Sequence, residues 1–428
     1  MSAPEFVKRA TSSLVEADRS LSEQVAGLLS ELERNGEAAA RRMARDLDRW
    51  EGEVVVSQEA IHAACLRVPQ KLKDDIAWAH ENIAKFAEAQ RDSVCETEVE
   101  LRPGLFAGQR LIPVQAAGCY VPGGRYSHIA SAMMTVTTAK VAGVPHVAAV
   151  SPPRADAPAG VPDAILYTLH LCGADRILAL GGVQGIAAMA YGLFGLPKAD
   201  ILVGPGNQYV AEAKRLLYGS VGIDMVAGPT DSLIVADKTA DPHVVAWDLI
   251  GQAEHGANSP VWLVTDSVDL AREVAVLAPI YAKELPEPNR SAALASWEGL
   301  GEIILCADRD GMAAEADRIA PEHLHVQAAD LNWWKMRLRA YGSLFLGAES
   351  TVAFGDKAAG TNHVLPTSGA ARYTGGLSVH KFLKTVTWQR VDQRALPQLA
   401  AVTASISRFE GMEGHARTAD IRLEKFIR

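Results

Sequence analysis

From Leu111 to Gly347, short apolar runs alternate with longer stretches whose apolar residues recur at helical spacing, and glycines stand where many of the runs end. That alternation constrains the chain more than any other feature. The runs HVAAV, RILAL, DILVG, SLIVAD, PVWLVTD, EIILCA and SLFLG read as buried strands, with helices such as SHIASAMMTVTTAKVAG and QYVAEAKRLLYG between them. Strands separated by helices predict parallel sheets covered on both faces, with ligands at the carboxyl edge of the strands. The pattern runs to the helix QYVAEAKRLLYG and resumes at SLIVAD, so two tandem α/β units are the simplest account. No fixed-period repeat accompanies them.

The flanks differ. Residues 5 to 92 keep helical periodicity with little Gly or Pro, and from Ser378 onward the chain again reads as helical, through KFLKTVTWQRV to the end. The last segment, about 50 residues, is too small to bury a core of its own, so it is expected to pack on something, a partner subunit being one candidate. Net charge −9, from 42 Lys plus Arg against 51 Asp plus Glu, argues against coating nucleic acid. Five cysteines with no CxxC pair, no apolar signal core at the N-terminus and no apolar run near about 20 residues predict a cytoplasmic protein that does not cross a membrane.

Neither GxGxxG nor a P-loop motif is present. Three turns stand in their place: VPGGRY at 121–126, LGGVQG at 180–185 and VGPGNQ at 203–208, each after a strand and before a helix. Glycines let a ligand approach the backbone, and helix N-termini favour anions, so three such loops suit a nucleotide, whereas any one alone is an ordinary turn. In GQAEHGANSP, Gln252 and His255 share a helix face at i and i+3, which fits either a pair of metal ligands or a capped helix end. PEHLHV sets Glu322 beside His323 just before a strand, as general acid and base groups require. GDKAAGTNHVLPT joins Asp356, Asn362 and His363 in one polar loop, and EGMEGHA carries Glu410 and His415.

Taken in order, GCYVPGG, GPGN, GPTDSLIVAD, DLIGQAEHG, APEHLHV, GTNHVLPT and EGMEGHA resemble the histidinol dehydrogenase family over nearly the whole chain. The resemblance implies an α/β fold: two incomplete Rossmann-like parallel-sheet domains with helical N-terminal and C-terminal extensions, in an intertwined homodimer. It divides the chain into a helical region 1–98, a first Rossmann-like domain of 99–121 plus 231–376, a second of 122–230, and a helical segment 377–428 packed on the partner subunit. It further implies NAD as cofactor and one Zn2+ per active site, held by Gln252, His255 and Asp356 with His415 from the partner. His323 is then the base and Glu322 activates the water that hydrates an aldehyde intermediate. Tyr120, Gln184 and Asn207 match NAD contacts, and His363 and Glu410 match substrate contacts, Glu410 again across the subunit boundary.

Within that family the stretches RPGLFAGQRLIPVQ and RYTGGLSVHKFLKTVTWQRV, and Thr230 where biosynthetic members usually carry Ser, resemble a paralogous branch that includes sulfopropanediol 3-dehydrogenase. A sulfonate needs cationic or N–H donors, and Arg372, His380 and Lys384 follow the GTNHVLPT loop, with Arg125 in the first glycine turn. One or more of the first three is expected to bind the substrate anion, although Glu410 would suit an ammonium group. Three activities follow: a four-electron dehydrogenase of a small anionic diol, L-histidinol dehydrogenase itself, or a silent nucleotide-binding paralogue. The intact set of acids and histidines speaks against silence.

Overall fold

A computed structural model describes residues 4–12, 19–123, 128–226 and 228–427. Two parallel sheets organise it. In the five-stranded sheet the strands Ala116–Tyr120, His146–Ser151, Arg176–Ala179, Ile201–Val203 and Gly222–Ile223, numbered in chain order, lie in the spatial order third, second, first, fourth, fifth. In the six-stranded sheet Ser232–Ala236, Val261–Thr265, Glu302–Leu305, His323–Gln327 and Ser343–Leu346 repeat that order, and Glu5–Lys8 adds an antiparallel edge beside Glu302–Leu305. Each sheet is thus a Rossmann-type arrangement lacking its last strand, with its topological switch between first and fourth strands.

Alternation along each strand explains why helices cover both faces. Cys119 and Ala117 join one core with Val147 and Ile201, while the neighbouring Tyr120 joins the opposite core with Val150 and Leu202. Ile234 and Leu263 likewise face the helices Pro242–Ala253 and Val268–Glu284, whereas Leu233 and Val264 face Arg309–Ile319 and Leu331–Arg337. With both faces buried, most of these strands read as near-continuous apolar runs, HLHVQ at His323–Gln327 being an exception.

Three expectations about boundaries need correction. The segment 99–121 does not belong to the larger sheet: Ala116–Tyr120 pairs with His146–Ser151 and Ile201–Val203 in the five-stranded one. Upstream, Thr97–Arg102 and Leu105–Pro113 form a separate antiparallel sheet, the break falling near Pro113, which has no N–H to donate. The third strand of that sheet is Leu383–Val391, inside the region 377–428 expected to be helical; its Thr385, Val386, Thr387, Trp388 and Val391 are strand formers. Region 1–98 also contains a strand, Glu5–Lys8.

The chain ends in a hairpin of helices, Leu396–Phe409 and Glu413–Phe426, whose own small core is Ala400, Ala404, Ala416 and Ala419 with Leu396 and Leu423. Its outer surface exposes Val402, Ile406, Phe409, Met412 and Ile421. No described helix is long and apolar enough to cross a membrane.

Candidate active site

Both sheets reach one cavity, about 1150 Å³ in volume, but from opposite ends of their strands. The five-stranded sheet presents its carboxyl edge. Pro122 and Gly123 follow the first strand, Gly182 opens the helix Gly182–Tyr191, and Pro205 to Asn207 lead into the helix Gln208–Leu217; all line the cavity. Three helix N-termini face it, these two and that of Ile129–Val141 with His128 and Ser131, and their N–H groups favour anions. The rest of the first turn, Arg125 included, lies outside the described residues.

These turns are held by side chains. A Cβ on Gly204 would stand 2.1 Å from the Tyr120 carbonyl oxygen, and its φ of +112° suits glycine alone. Asp224 Oδ2 accepts from Gly204 N at 2.7 Å, Lys214 Nζ donates to Gly204 O at 3.0 Å, and Lys214 and Asp224 pair with each other in the interior. A buried charge pair so fixes both backbone groups of one glycine. Asp48 closes the helical run Arg19–Asp48, and its Oδ2 accepts from Gly181 N at 3.0 Å and Gln184 Nε2 at 2.8 Å. Tyr120 Oη accepts from Gly182 N at 3.1 Å, and Asn207 Oδ1 caps its helix by accepting from the Tyr209 and Val210 N–H groups.

The six-stranded sheet presents its amino edge, which corrects the expectation that ligands collect only at carboxyl edges. Thr230 and Asp231 immediately precede the first strand, and Glu322 and His323 stand at the start of the fourth. The helix Pro242–Ala253 connects two parallel strands and so returns to the amino edge, delivering Gln252 in its last turn and His255 just beyond. Asp356 comes from the end of the short helix Val352–Lys357. Helix C-termini carry negative partial charge, so the long helix favours a cation here.

The acid and base are interlocked. Glu322 Oε2 accepts from Thr230 Oγ1 at 2.6 Å and from Asp231 N at 3.1 Å, while Asp231 Oδ1 accepts from Glu322 N at 2.7 Å. His323 Nδ1 lies 3.1 Å from the Asp231 carbonyl oxygen, which can only accept. In the neutral ring Nδ1 therefore carries the hydrogen and Nε2 the lone pair. Burial, aided by the charge of Asp231, pushes Glu322 up to about 7. Burial would lower His323, but Glu322 and then Asp356 outweigh it and push its pKa up to about 9.

The donor chemistry fits a divalent metal. Gln252 Oε1 and His323 Nε2 are buried without a hydrogen-bond partner, and His323 Nε2 stands 3.4 Å from Asp356 Oδ1. His255 opens onto the cavity yet is closely surrounded; this desolvation lowers its pKa despite Asp356. Burial opposes the charge on Asp356, but His323, His363 and His255 hold it below the usual carboxylate range. Among the described residues no three His, Cys, Asp or Glu side chains gather as a metal cluster; the candidate donors that line the cavity are the Gln252 amide, the His255 imidazole and the Asp356 carboxylate. His415, the expected fourth ligand, is exposed on the terminal hairpin and does not line the cavity, nor does Glu410.

The cavity thus brings together Tyr120, Gln184, Asn207, Thr230, Gln252, His255, Glu322, His323, Asp356 and His363. His363 is fixed by Ser131 Oγ at 2.8 Å and by the Asp356 carbonyl at 3.0 Å. Arg372, His380 and Lys384 are not brought there. Arg372 donates to the Gly369 and Arg318 carbonyls, His380 Nε2 lies 2.9 Å from the Gln90 carbonyl, and Lys384 is exposed on a strand paired with Ile112. Sequence reasoning missed Asp48, Ser131 and Lys357, all lining the cavity. Lys357 follows Asp356 directly, and a cation beside a proposed ligand was the available signal.

Paired Rossmann-like sheets that set glycine turns opposite an acid and an imidazole are an arrangement suited to an enzyme that uses a nucleotide cofactor. Comparison with known proteins narrows this. Residues 12–423 match the family described as histidinol dehydrogenase, and the chain belongs to that family. It is 68% identical over 398 residues to a histidinol dehydrogenase homolog of Ruegeria pomeroyi, covering 93% of this chain and 92% of that one. It is 61% identical over 423 residues to the sulfopropanediol 3-dehydrogenase of the same organism, covering 99% and 97%. The crystal structure of histidinol dehydrogenase from Elizabethkingia anophelis superposes with a TM-score of 0.91 at 31% identity, covering 96% of this chain and 94% of that one.

Proposed function

We propose that this chain is a zinc-dependent NAD+ dehydrogenase that oxidises the primary alcohol of a small anionic diol to the carboxylate, through the aldehyde. The substrate proposed is 2,3-dihydroxypropane-1-sulfonate, giving sulfolactate. The observation that carries the reading is the pair of unpartnered buried atoms, Gln252 Oε1 and His323 Nε2, beside Asp356 in a cavity walled by the glycine turns. Gln252, His255 and Asp356 would hold the metal. When bound, zinc supplies a Lewis acid that orients the substrate oxygens and offsets the Asp356 charge, and NAD+ supplies the hydride acceptor.

The chain's own groups handle the protons. With Nδ1–H anchored on the Asp231 carbonyl, and with the Asp356 charge that helps hold the ring protonated taken up by the metal, neutral His323 would accept the hydroxyl proton at Nε2 as hydride leaves the same carbon. Glu322, held through Oε2 by Thr230 and Asp231, has no described partner at Oε1, which is left to take a proton from the water that adds to the aldehyde. Once His323 has released the first proton to solvent, the hydrate loses its second hydride while its hydroxyl proton passes to the same Nε2. Tyr120, Gln184 and Asn207 border the NAD subsite. His415 and Glu410 are proposed to enter the site from a second copy of the chain, which the exposed apolar residues around them support.

Lys357 supports the anionic substrate: it is the one Lys or Arg among the described residues lining the cavity, and its charge helps push His128 down to about 4, after burial and His363. Glu254, also in the wall, favours the competing cationic substrate, L-histidinol. Zinc-loaded enzyme assayed with each compound separates the readings. Two NADH per sulfonate consumed, and little from histidinol, is expected. Two NADH from histidinol alone would make the chain a biosynthetic histidinol dehydrogenase, and none from either would mark a silent paralogue.

A further inference from the structure

The strand His323–Gln327 turns three polar side chains to one face, His323, His325 and Gln327, and the proposed chemistry uses only the first. The other two are buried in a separate polar knot, His325 with no exposed surface and Gln327 at 2%. At its centre is Asp248, one turn before Gln252 on the helix Pro242–Ala253 and so on the same helix face. Asp248 Oδ2 accepts from Gln327 Nε2 at 2.7 Å and lies 3.4 Å from His325 Nδ1; Oδ1 accepts from Thr351 Oγ1 at 2.8 Å. Thr351 is the N-cap position of the helix Val352–Lys357, which carries Asp356. His325 Nε2 in turn donates to the Gly347 carbonyl at 2.9 Å, at the positive-φ turn that leads the chain toward that helix.

Each of the three elements that carry Gln252, His323 and Asp356 is therefore tied to one carboxylate. We infer that Asp248 is a positioning residue: with Thr351, Gln327 and His325 it sets the mutual placement of Gln252, Asp356 and His323, and so the geometry of the metal cage and of the base beside it. The inference rests on the proposed zinc site. Apolar packing alone would not fix these elements to the few tenths of an ångström a metal requires, whereas a buried network whose hydrogen bonds converge on one carboxylate would. Gly355 permits the fit, because any Cβ there would stand 2.5 Å from the Phe345 ring.

The test uses the full-length protein, with zinc affinity measured by competition against a chromophoric chelator and cage geometry read from the visible spectrum of the cobalt-substituted form. Asp248→Asn should weaken zinc by about 10- to 100-fold, as loss of a group supporting metal ligands generally does, and should shift the cobalt bands. Thr351→Val should do the same to a smaller degree, and Thr351→Ser should restore it. An Asp248→Asn protein that melts earlier but keeps wild-type zinc affinity and cobalt spectrum would overturn the inference, reducing the knot to fold stabilisation. If Asp248→Asn does not fold, Thr351→Val against Thr351→Ser decides on the same two readouts. Wild-type protein that binds no zinc would remove the proposed metal site itself, an outcome distinct from wild-type affinity in the variants.

Discussion

The two parallel sheets share a strand order but not a way of making a site. The five-stranded sheet offers its carboxyl edge, where helices begin, and its contribution is largely backbone: the Gly182 and Asn207 turns, with Asp48, Lys214 and Asp224 working to hold peptide groups. The six-stranded sheet offers its amino edge, where a helix ends, and its contribution is side chains: Gln252, His255, Glu322 and His323. The difference follows from the helix macrodipole. Helix beginnings suit phosphate and helix ends suit a metal cation, so facing opposite edges to one cavity gives it one wall suited to anions and one suited to cations from a single topology.

The sharpest way to break that comparison is at the side-chain wall. In the proposed mechanism His323→Ala removes the base from both oxidations, and it should lower kcat by roughly 10³-fold or more, about 4 kcal/mol, with KM for NAD+ nearly unchanged. Steady-state kinetics in each half-reaction measures this. A rise in KM for NAD+ comparable to the loss in kcat would show that the walls do not work separately.

Next comes the backbone wall. Lys214→Met leaves the Asp224 carboxylate buried beside Gly204 without its counter-charge, and should cost about 3 kcal/mol of folding stability in urea titrations. Replacing both partners, Lys214→Met with Asp224→Leu, should recover much of that stability while leaving the Gly204 turn untethered and NAD+ binding weakened. Full recovery of both would mean that the ion pair is dispensable to the turn. A smaller effect, about 2 kcal/mol, is expected for Asp48→Ala, which strands the Gly181 N–H and the Gln184 amide. It should appear as weaker NAD+ binding by calorimetry at constant kcat; a fall in kcat alone would assign Asp48 to the chemistry instead.

How far the sequence foretold these walls depends on how local each one is. The two tandem sheets are legible in the long alternation of runs and helices, while the glycine turns, Glu322–His323 and Gln252–His255 are each marked within ten or so residues by spacing, which for Gln252–His255 leaves ligand pair and capped helix end equally open. Asp48 meets Gly181 across 133 residues of chain, and nothing in the local pattern of a helix end announces such a partner. Lys214 and Asp224 read as ordinary charges because burial is a property of the packed helix, not of its sequence. The amino-edge placement is not legible for another reason: the alternation of strands and helices points to carboxyl edges in both sheets alike, and only the position of Glu322 ahead of its strand hints otherwise. KFLKTVTWQRV reads as helix despite its run of Thr, Val and Trp, and only the pairing with Leu105–Pro113 discloses a strand.

The smallest expected effect concerns the cations that follow the GTNHVLPT loop. Arg372 was a natural choice for the substrate anion because it lies nine residues after His363, yet nearness along the chain is not nearness to the cavity. Its guanidinium donates to two backbone carbonyls, and it is exposed. Arg372→Ala should therefore change KM for the sulfonate less than about twofold, within the roughly 0.5 kcal/mol typical of surface substitutions. Lys357→Met, beside Asp356 in the cavity wall, should raise the same KM by about tenfold, the magnitude of one charge-assisted hydrogen bond, while barely affecting a neutral diol. If the ranking came out reversed, Arg372 would have to reach a site that one copy of the chain does not form, and the anion would belong to a wall made by the partner subunit. The Arg372 and Lys357 variants thus test whether the substrate's negative charge is met by the same edge that meets the metal.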